Sequence, residues 1–190
     1  WAGTYGGGLA RFDNGRFTAV TTREGLSSAR VLALFEDRHG NLWVGTFGGG
    51  VCRYSGGRWS AFSRPEGLPY EGARAFCEDR EGNLWIGTDG GGLVRLADGS
   101  FTTTSVGEGL SSAYIIGVLE ARGGDVWIAT NGGGLNRLRD GRIEHLDVRH
   151  GFPHDLIRSM WEAPDGTLWV GTDGGGVVRV RDGRVAQRYT

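Results

Sequence analysis

The run Asn41-Leu42-Trp43-Val44-Gly45-Thr46-Phe47-Gly48-Gly49-Gly50-Val51-Cys52-Arg53 returns 42 residues later as Asn83-Leu84-Trp85-Ile86-Gly87-Thr88-Asp89-Gly90-Gly91-Gly92-Leu93-Val94-Arg95. Trp1, Trp43, Trp85, Trp127 and Trp169 mark one position five times at that constant spacing, without insertion, so the chain holds four whole periods and 22 further residues. Around each Trp the phrase varies only in detail, as where Ala129 replaces the first Gly. Fixed self-similarity at this length belongs to arrays of one supersecondary unit, each stacked on the next to bury a shared core.

Within a period, alternation and turn punctuation give four short strands, here a to d. In the second unit these are Val31 to Glu36, Leu42 to Thr46, Val51 to Tyr54 and Arg58 to Phe62. The c–d turn carries Asn14-Gly15, Gly56-Gly57, Asp98-Gly99, Asp140-Gly141 and Asp182-Gly183, pairs that tolerate the positive φ of a tight hairpin. Four strands in about 40 to 45 residues is one propeller blade, whereas two-helix repeats would show a 3.6 periodicity that is absent. The near-continuous apolar character of strands a and b fits blades covered on both faces. The expected fold is therefore all-β, a β-propeller of four-stranded antiparallel blades. Its units are 1–24 (partial), 25–66, 67–108, 109–150 and 151–190, and the first lacks its innermost strand. Strands b, c and d occur five times and strand a four times, so a five-bladed ring would be one strand short. Either such a ring closes imperfectly, or the chain is a piece of a larger propeller, or several chains assemble. An exposed blade face favours the last two over an open monomer.

Composition narrows the function classes. The 190 residues are 38% hydrophobic and 11% aromatic, enough for a core, and 21 basic against 22 acidic residues announce no nucleic-acid partner. All 21 basic residues are Arg, which excludes chemistry that needs a phosphate-binding or Schiff-base lysine. The 37 glycines lie in no triplet period and only 4 prolines accompany them, so glycine serves as punctuation in a folded chain. No apolar run approaches the ~20 residues of a membrane helix, so no direct membrane insertion is expected. An opening at Trp1, with Met160 as the single Met, reads as a processed product or an excerpt of a longer chain.

The phrase Glu36-Asp37-Arg38-His39-Gly40-Asn41-Leu42-Trp43-Val44-Gly45-Thr46-Phe47-Gly48-Gly49-Gly50-Val51, preceded by Glu24-Gly25-Leu26-Ser27-Ser28, resembles the two-component regulator propeller repeat. It recurs from Glu78 to Leu93 after Glu66-Gly67-Leu68, and more loosely from Glu120 to Leu135 and Glu162 to Val177. The resemblance implies a sensor module of membrane-bound histidine kinases, hybrid kinases or diguanylate cyclases. It implies a periplasmic or extracytoplasmic location and, by association with gut bacteria, oligosaccharide ligands. Such propellers usually have seven blades, more than the units here. A non-catalytic module that binds a small polar ligand is the leading expectation. Its alternatives are an enzyme resembling streptogramin lyase, from which this chain departs at the Gly-Thr after the Trp strand, and a self-assembling propeller fragment. Partners would be the ligand and either further copies of the chain or the remaining blades.

Candidate residues follow from where the repeat breaks its own pattern. In an up-and-down blade the b–c and d–a loops emerge on one face. That face should carry Arg30, Phe47, Tyr70, Glu71, Asp89, Tyr114, Asn131, His154, Asp155 and Asp173, aromatic rings and polar groups suited to sugars. Residues repeated in every blade read as structural. The Gly triplets are loops needing positive φ rather than phosphate cradles, and Arg53 should pair with Glu36 across strand b on one blade face. His150 and His154, four apart in a loop, need not converge on a metal. Asp37, Asp79 and Asp165 read as hairpin turns rather than calcium loops. Cys52 and Cys77 read as packed free thiols. No cofactor, metal or catalytic residue is expected.

Overall fold

The computed structural model describes residues 1–190 and contains five antiparallel sheets, each built from strands adjacent in sequence. Blade 1 has three strands, β1 (Ala2–Thr4), β2 (Gly8–Asp13) and β3 (Arg16–Val20). Blade 2 holds β4 (Val31–Glu36), β5 (Leu42–Thr46), β6 (Val51–Ser55) and β7 (Arg58–Phe62). Blade 3 holds β8 (Ala73–Glu78), β9 (Leu84–Thr88), β10 (Leu93–Ala97) and β11 (Ser100–Thr104). Blade 4 holds β12 (Ile115–Glu120), β13 (Val126–Thr130), β14 (Leu135–Arg139) and β15 (Arg142–Leu146). Blade 5 holds β16 (Ile157–Glu162), β17 (Leu168–Thr172), β18 (Val177–Arg181) and β19 (Arg184–Tyr189). The expected β-propeller architecture is present, including the missing innermost strand of blade 1. Strands β4, β8, β12 and β16 neighbour one another in series, so the blades lie along an arc.

Three devices recur because three sequence positions recur. In the a–b turn of blade 2 the Asp37 carboxylate accepts hydrogen bonds from the amides of His39 and Asn41, the Asn41 side chain and Trp43 Nε1, the last at 2.8 Å. This satisfies the indole N–H of a Trp that is otherwise buried between blades. Asp79 does the same for Trp85. In blade 4 the carboxylate has moved: Ala121 stands in the turn, and Asp125 receives Arg137 at 2.5 Å and Arg139 at 2.6 Å.

The second device is the glycine triplet. Thr46 Oγ1 donates to the Gly50 carbonyl at 2.9 Å, closing the b–c loop, and Thr88, Thr130 and Thr172 repeat the bond. Gly50 has φ +71°, and a Cβ there would lie 2.2 Å from the Phe62 carbonyl oxygen. Left-handed backbone and close approach together exclude any side chain.

The third device joins successive blades, and here the expected ion pairing is corrected. Arg53 makes no pair with Glu36; its guanidinium lies over the Trp43 and Phe62 rings, and its buried Nε has no partner. The glutamates at the ends of the innermost strands instead receive the a–b turn arginine of the preceding blade. Arg38 Nε meets Glu78 at 2.8 Å and Arg80 Nε meets Glu120 at 2.9 Å. Arg80 Nη2 also caps the carbonyls of Ala121 and Arg122. The Arg122 amide reaches Glu162 and its guanidinium the Pro164 carbonyl. Pro164 occupies the corresponding position of blade 5 and supplies neither group.

Apolar packing fills the seams between blades. Val44, Ile86, Ile128 and Val170 on the second strands are fully buried, each stabilising the fold by about 1.5–3 kcal/mol relative to exposure. The two ends of the arc are open: Phe12 and Phe17 are exposed on blade 1, and Trp161 and Tyr189 on blade 5. No helix is long and apolar enough to cross a membrane.

Candidate functional site

The face built from the b–c and d–a loops is locked together by the glycine loops themselves. The amides of Gly48 and Gly50 in blade 2 both donate to the Glu71 carbonyl, at 2.9 Å each, in the loop that enters blade 3. Gly6 and Gly8 use the Ala29 carbonyl in the same way, and Gly90 and Gly92 that of Ala113. On its other side, a Cβ at Gly49 would strike Ser27. The b–c loops of blades 2, 3 and 4 are thus wedged between two entry loops, and residues from adjacent blades are brought edge to edge.

That wedge gathers four of the candidate residues. Phe47, Tyr70 and Glu71, with Gly48, Gly72 and Arg64, line a hollow of about 190 Å³ at the seam of blades 2 and 3. The Arg30 guanidinium lies 4.5 Å above the Phe47 ring, and Tyr5 approaches that ring at 6.5 Å. Tyr70 continues the aromatic surface: a Cβ at Gly90 would sit 3.4 Å from its ring and 3.6 Å from that of Tyr114. Asp89 stands opposite Tyr114 in an isolated bridge between blades 3 and 4. The exposed or half-buried rings Tyr5, Phe47, Tyr70 and Tyr114 thus run across four blades.

The remaining candidates lie further along the arc, outside the hollow. Asn131 faces Leu156 across the seam of blades 4 and 5. His154 Nδ1 accepts the Leu156 amide at 3.0 Å, and Asp155 turns back to accept the Val148 amide at 2.8 Å. Arg158 bonds Asp173 at 3.0 Å, which holds that carboxyl below its ordinary range, with a smaller contribution from His154.

Two features escape a residue-by-residue reading. Innermost strands β4, β8, β12 and β16 each carry a register shift at their second residue, Leu32, Arg74, Ile116 or Arg158. Bulges of this kind re-aim a side chain, and Arg74 reaches Asp89 at 2.9 Å just as Arg158 reaches Asp173. The second is an alternation. Entry loops Ser27-Ser28-Ala29 and Ser111-Ser112-Ala113 alternate with Pro69-Tyr70-Glu71 and Pro153-His154-Asp155. The loop face therefore repeats every two blades, a signal visible in the sequence when loops are compared in pairs.

His150 is explained by a short 3-10 turn in the entry loop. At Ser63–Glu66 and Ser105–Glu108 a Glu closes a capping box, and in the third turn His150 takes that place, 2.8 Å from Asp147. His150 and His154 thus serve different backbone segments. No group of three or more His, Cys, Asp or Glu residues is placed to hold a metal. Clefts of about 170 to 520 Å³, the widest at blades 3 and 4, recur on the flank of every seam and follow from blade packing.

With this geometry in hand, residues 25–48 and 67–90 match the family model described as the two component regulator propeller. Those two stretches carry the regulator propeller repeat. The matched stretches run from each entry loop through strands a and b to the first Gly of the triplet, the portion that builds both the seam and the loop face. Among solved structures, the extracellular domain of a hybrid two component system from B. thetaiotaomicron is 27% identical, with a TM-score of 0.80. The match covers 98% of this chain and 26% of that one. The extracellular domain of a one component system from the same organism is 23% identical, with a TM-score of 0.79, over 95% of this chain and 28% of that one. A streptogramin B lyase shares the fold at 19% identity and a TM-score of 0.73, over 95% of this chain and 60% of that one. The chain thus spans about a quarter of the length of these two extracellular domains. No curated protein sequence matches it.

Proposed function

We propose that this chain is a non-catalytic, ligand-receiving portion of a sensory propeller in an extracytoplasmic, two-component-type receptor. The observation that carries the proposal is the conjunction of regulator-propeller repeats with a loop face on which the repeat varies. Its ligand is small and polar, with oligosaccharides the leading class. Aromatic rings along the seams supply faces for C–H surfaces, and Glu71, Asp89 and Asn131 supply hydrogen-bonding groups beside them. The periplasm is the proposed location.

The lyase reading has the shared fold in its favour, and fold alone does not carry an activity. His150 and His154 are each committed to local loop contacts, and neither is arranged as a base with an orienting partner and a nucleophile. Saturable thermal stabilisation by an oligosaccharide panel, weakened in Tyr70→Ala and Tyr114→Ala, is the expected result. Binding unchanged in both variants, or turnover of a cyclic ester abolished by His154→Ala, would overturn it. The open blade faces at Phe12, Phe17 and Trp161 favour a second proposal, that the chain packs against further blades or copies of itself. Native mass by light scattering, rising with concentration, would support self-assembly.

A further inference from the structure

We infer that the hollow at the seam of blades 2 and 3 selects ligands carrying an anionic oxygen group, a carboxylate or sulfate, and that Arg30 receives it. The inference rests on the proposal that this loop face binds the ligand, and it adds the charge class.

Four guanidiniums stand on or beside this loop face, and three have a carboxylate neighbour. Arg74 is held by Asp89 at 2.9 Å and Arg158 by Asp173 at 3.0 Å, while Arg64 lies 4.0 Å from Glu71. Arg30 has no carboxylate partner, and its side chain makes no hydrogen bond. It is nevertheless placed. Its guanidinium rests on the Phe47 ring at 4.5 Å, and Nη2 lies 3.6 Å from where a Cβ on Gly48 would stand, at the rim of the hollow. Phe47 and Gly48 both line that hollow. Stacking fixes the plane of the guanidinium without using its N–H donors, which remain available for bidentate contact with an oxyanion.

The alternation of entry loops places this group at one seam only. Two blades on, where the Ser-Ser-Ala loop recurs, Tyr114 replaces Arg30 and Asn131 replaces Phe47. The stacked cation therefore distinguishes one end of the aromatic run from the other and would orient an asymmetric ligand along it.

The probe pair is a trigalacturonic acid and its fully methyl-esterified form, of equal length and linkage and differing in charge. Each is titrated into the labelled full chain, with the Arg30 Nε–Hε signal and the loop-face amides followed by NMR. The acid should bind about tenfold more tightly than the ester, as a charge-assisted contact requires, and the preference should shrink with added salt. Arg30→Gln should bring the two ligands within about twofold, and Phe47→Leu should weaken the preference by releasing the stack. Arg16→Gln, which removes an equal charge from the outer hairpin of blade 1, should leave it intact. Equal binding of acid and ester on a face still sensitive to Tyr70→Ala would overturn the inference and leave the proposed function standing. Absence of any loop-face perturbation with either ligand would overturn both.

Discussion

The Ser111 amide donates to Asn136 Oδ1 at 3.0 Å, and Asn136 Nδ2 returns a bond to Ser111 Oγ at 2.7 Å. Two blades earlier, Cys52 Sγ lies 3.1 Å from the Ser27 amide and 3.0 Å from its hydroxyl. In blades 3 and 5 the same positions hold Pro69 with Val94 and Pro153 with Val178. The pairing is chemical: a Ser contributes an amide that needs an acceptor, and a Pro has none to offer. Asn136→Val should therefore cost about 1–3 kcal/mol by stranding the Ser111 amide. Adding Ser111→Pro should recover most of it by recreating the Pro–Val pair. Urea midpoints of the single and double variants measure the recovery, and a double variant no more stable than Asn136→Val would refute the account.

The displaced carboxylate of blade 4 gives a second cycle. Asp125 is buried and holds Arg137 and Arg139. Removing one member of such a pair leaves a half-buried cation, so Asp125→Asn should destabilise by about 3 kcal/mol. Ala121→Asp with Asp125→Asn restores the Asp–Asn arrangement of blades 2 and 3 and should regain part of the loss, read as thermal midpoint.

The arginine clasp between blades is more exposed. Arg80→Ala loses one ion pair and two carbonyl contacts at the seam of blades 3 and 4. The expected cost is about 1 kcal/mol, and salt should diminish it. Hydrogen exchange should quicken locally, at the turns from residue 79 to 83 and from 121 to 125. A uniform change across all five blades would contradict a seam-local role.

Acid should unfold the chain for an identifiable reason. Burial raises the pKa values of Asp37, Asp79 and Asp125, but hydrogen bonds from Trp43 and Asn41, from Asn83 and Trp85, and from Arg139 and Arg137 outweigh it. Arg149 and His150 hold Asp147 low as well. Each of these groups binds its proton less readily folded than unfolded. Their contribution is complete above about pH 5, starts to fade near pH 4 and is lost as pH falls through the folded-state values. Denaturant midpoints between pH 7 and pH 3 should stay level and then drop, and a maximum below pH 4 would be incompatible with this wiring.

Glycines of the b–c triplet and of the c–d hairpin should differ sharply. Gly92→Ala places a methyl 2.4 Å from the Thr104 carbonyl oxygen at φ +82°, whereas Gly15 at φ +80° has open space around it. Gly15→Ala should cost about 1 kcal/mol for the backbone alone, and Gly92→Ala at least twice that. Equal losses by thermal denaturation would reject the steric part of the argument.

The strand boundaries were readable because period, turn glycines and apolar runs agree; β4, β5 and β7 coincide with the expected ranges, and β6 extends one residue, to Ser55. The partner of Glu78 was not readable. Pairing within a sheet suggested a residue across strand β9, but the donor is Arg38, an arginine 40 residues earlier, on the neighbouring blade. Packing between repeats has no local pattern to announce it. The bulges were hidden for a related reason, since Leu32 and Ile116 continue an apolar run and only Arg74 and Arg158 interrupt it. Of the candidate site, the loop face was legible from topology. Its division into a hollow at Phe47 and Tyr70 and a separate, locally bonded group at His154 and Asp155 depends on side-chain direction.

The glycine amides that reach forward to Glu71 and Ala113 carry an evolutionary consequence. The heritable unit of 42 residues ends within structure that its neighbour completes. Duplicating one unit therefore copies half of two loop junctions, and the new junctions are chimeras of old loops. A propeller grown in this way acquires new combinations of side chains at its seams at the moment of duplication, before any point mutation has occurred.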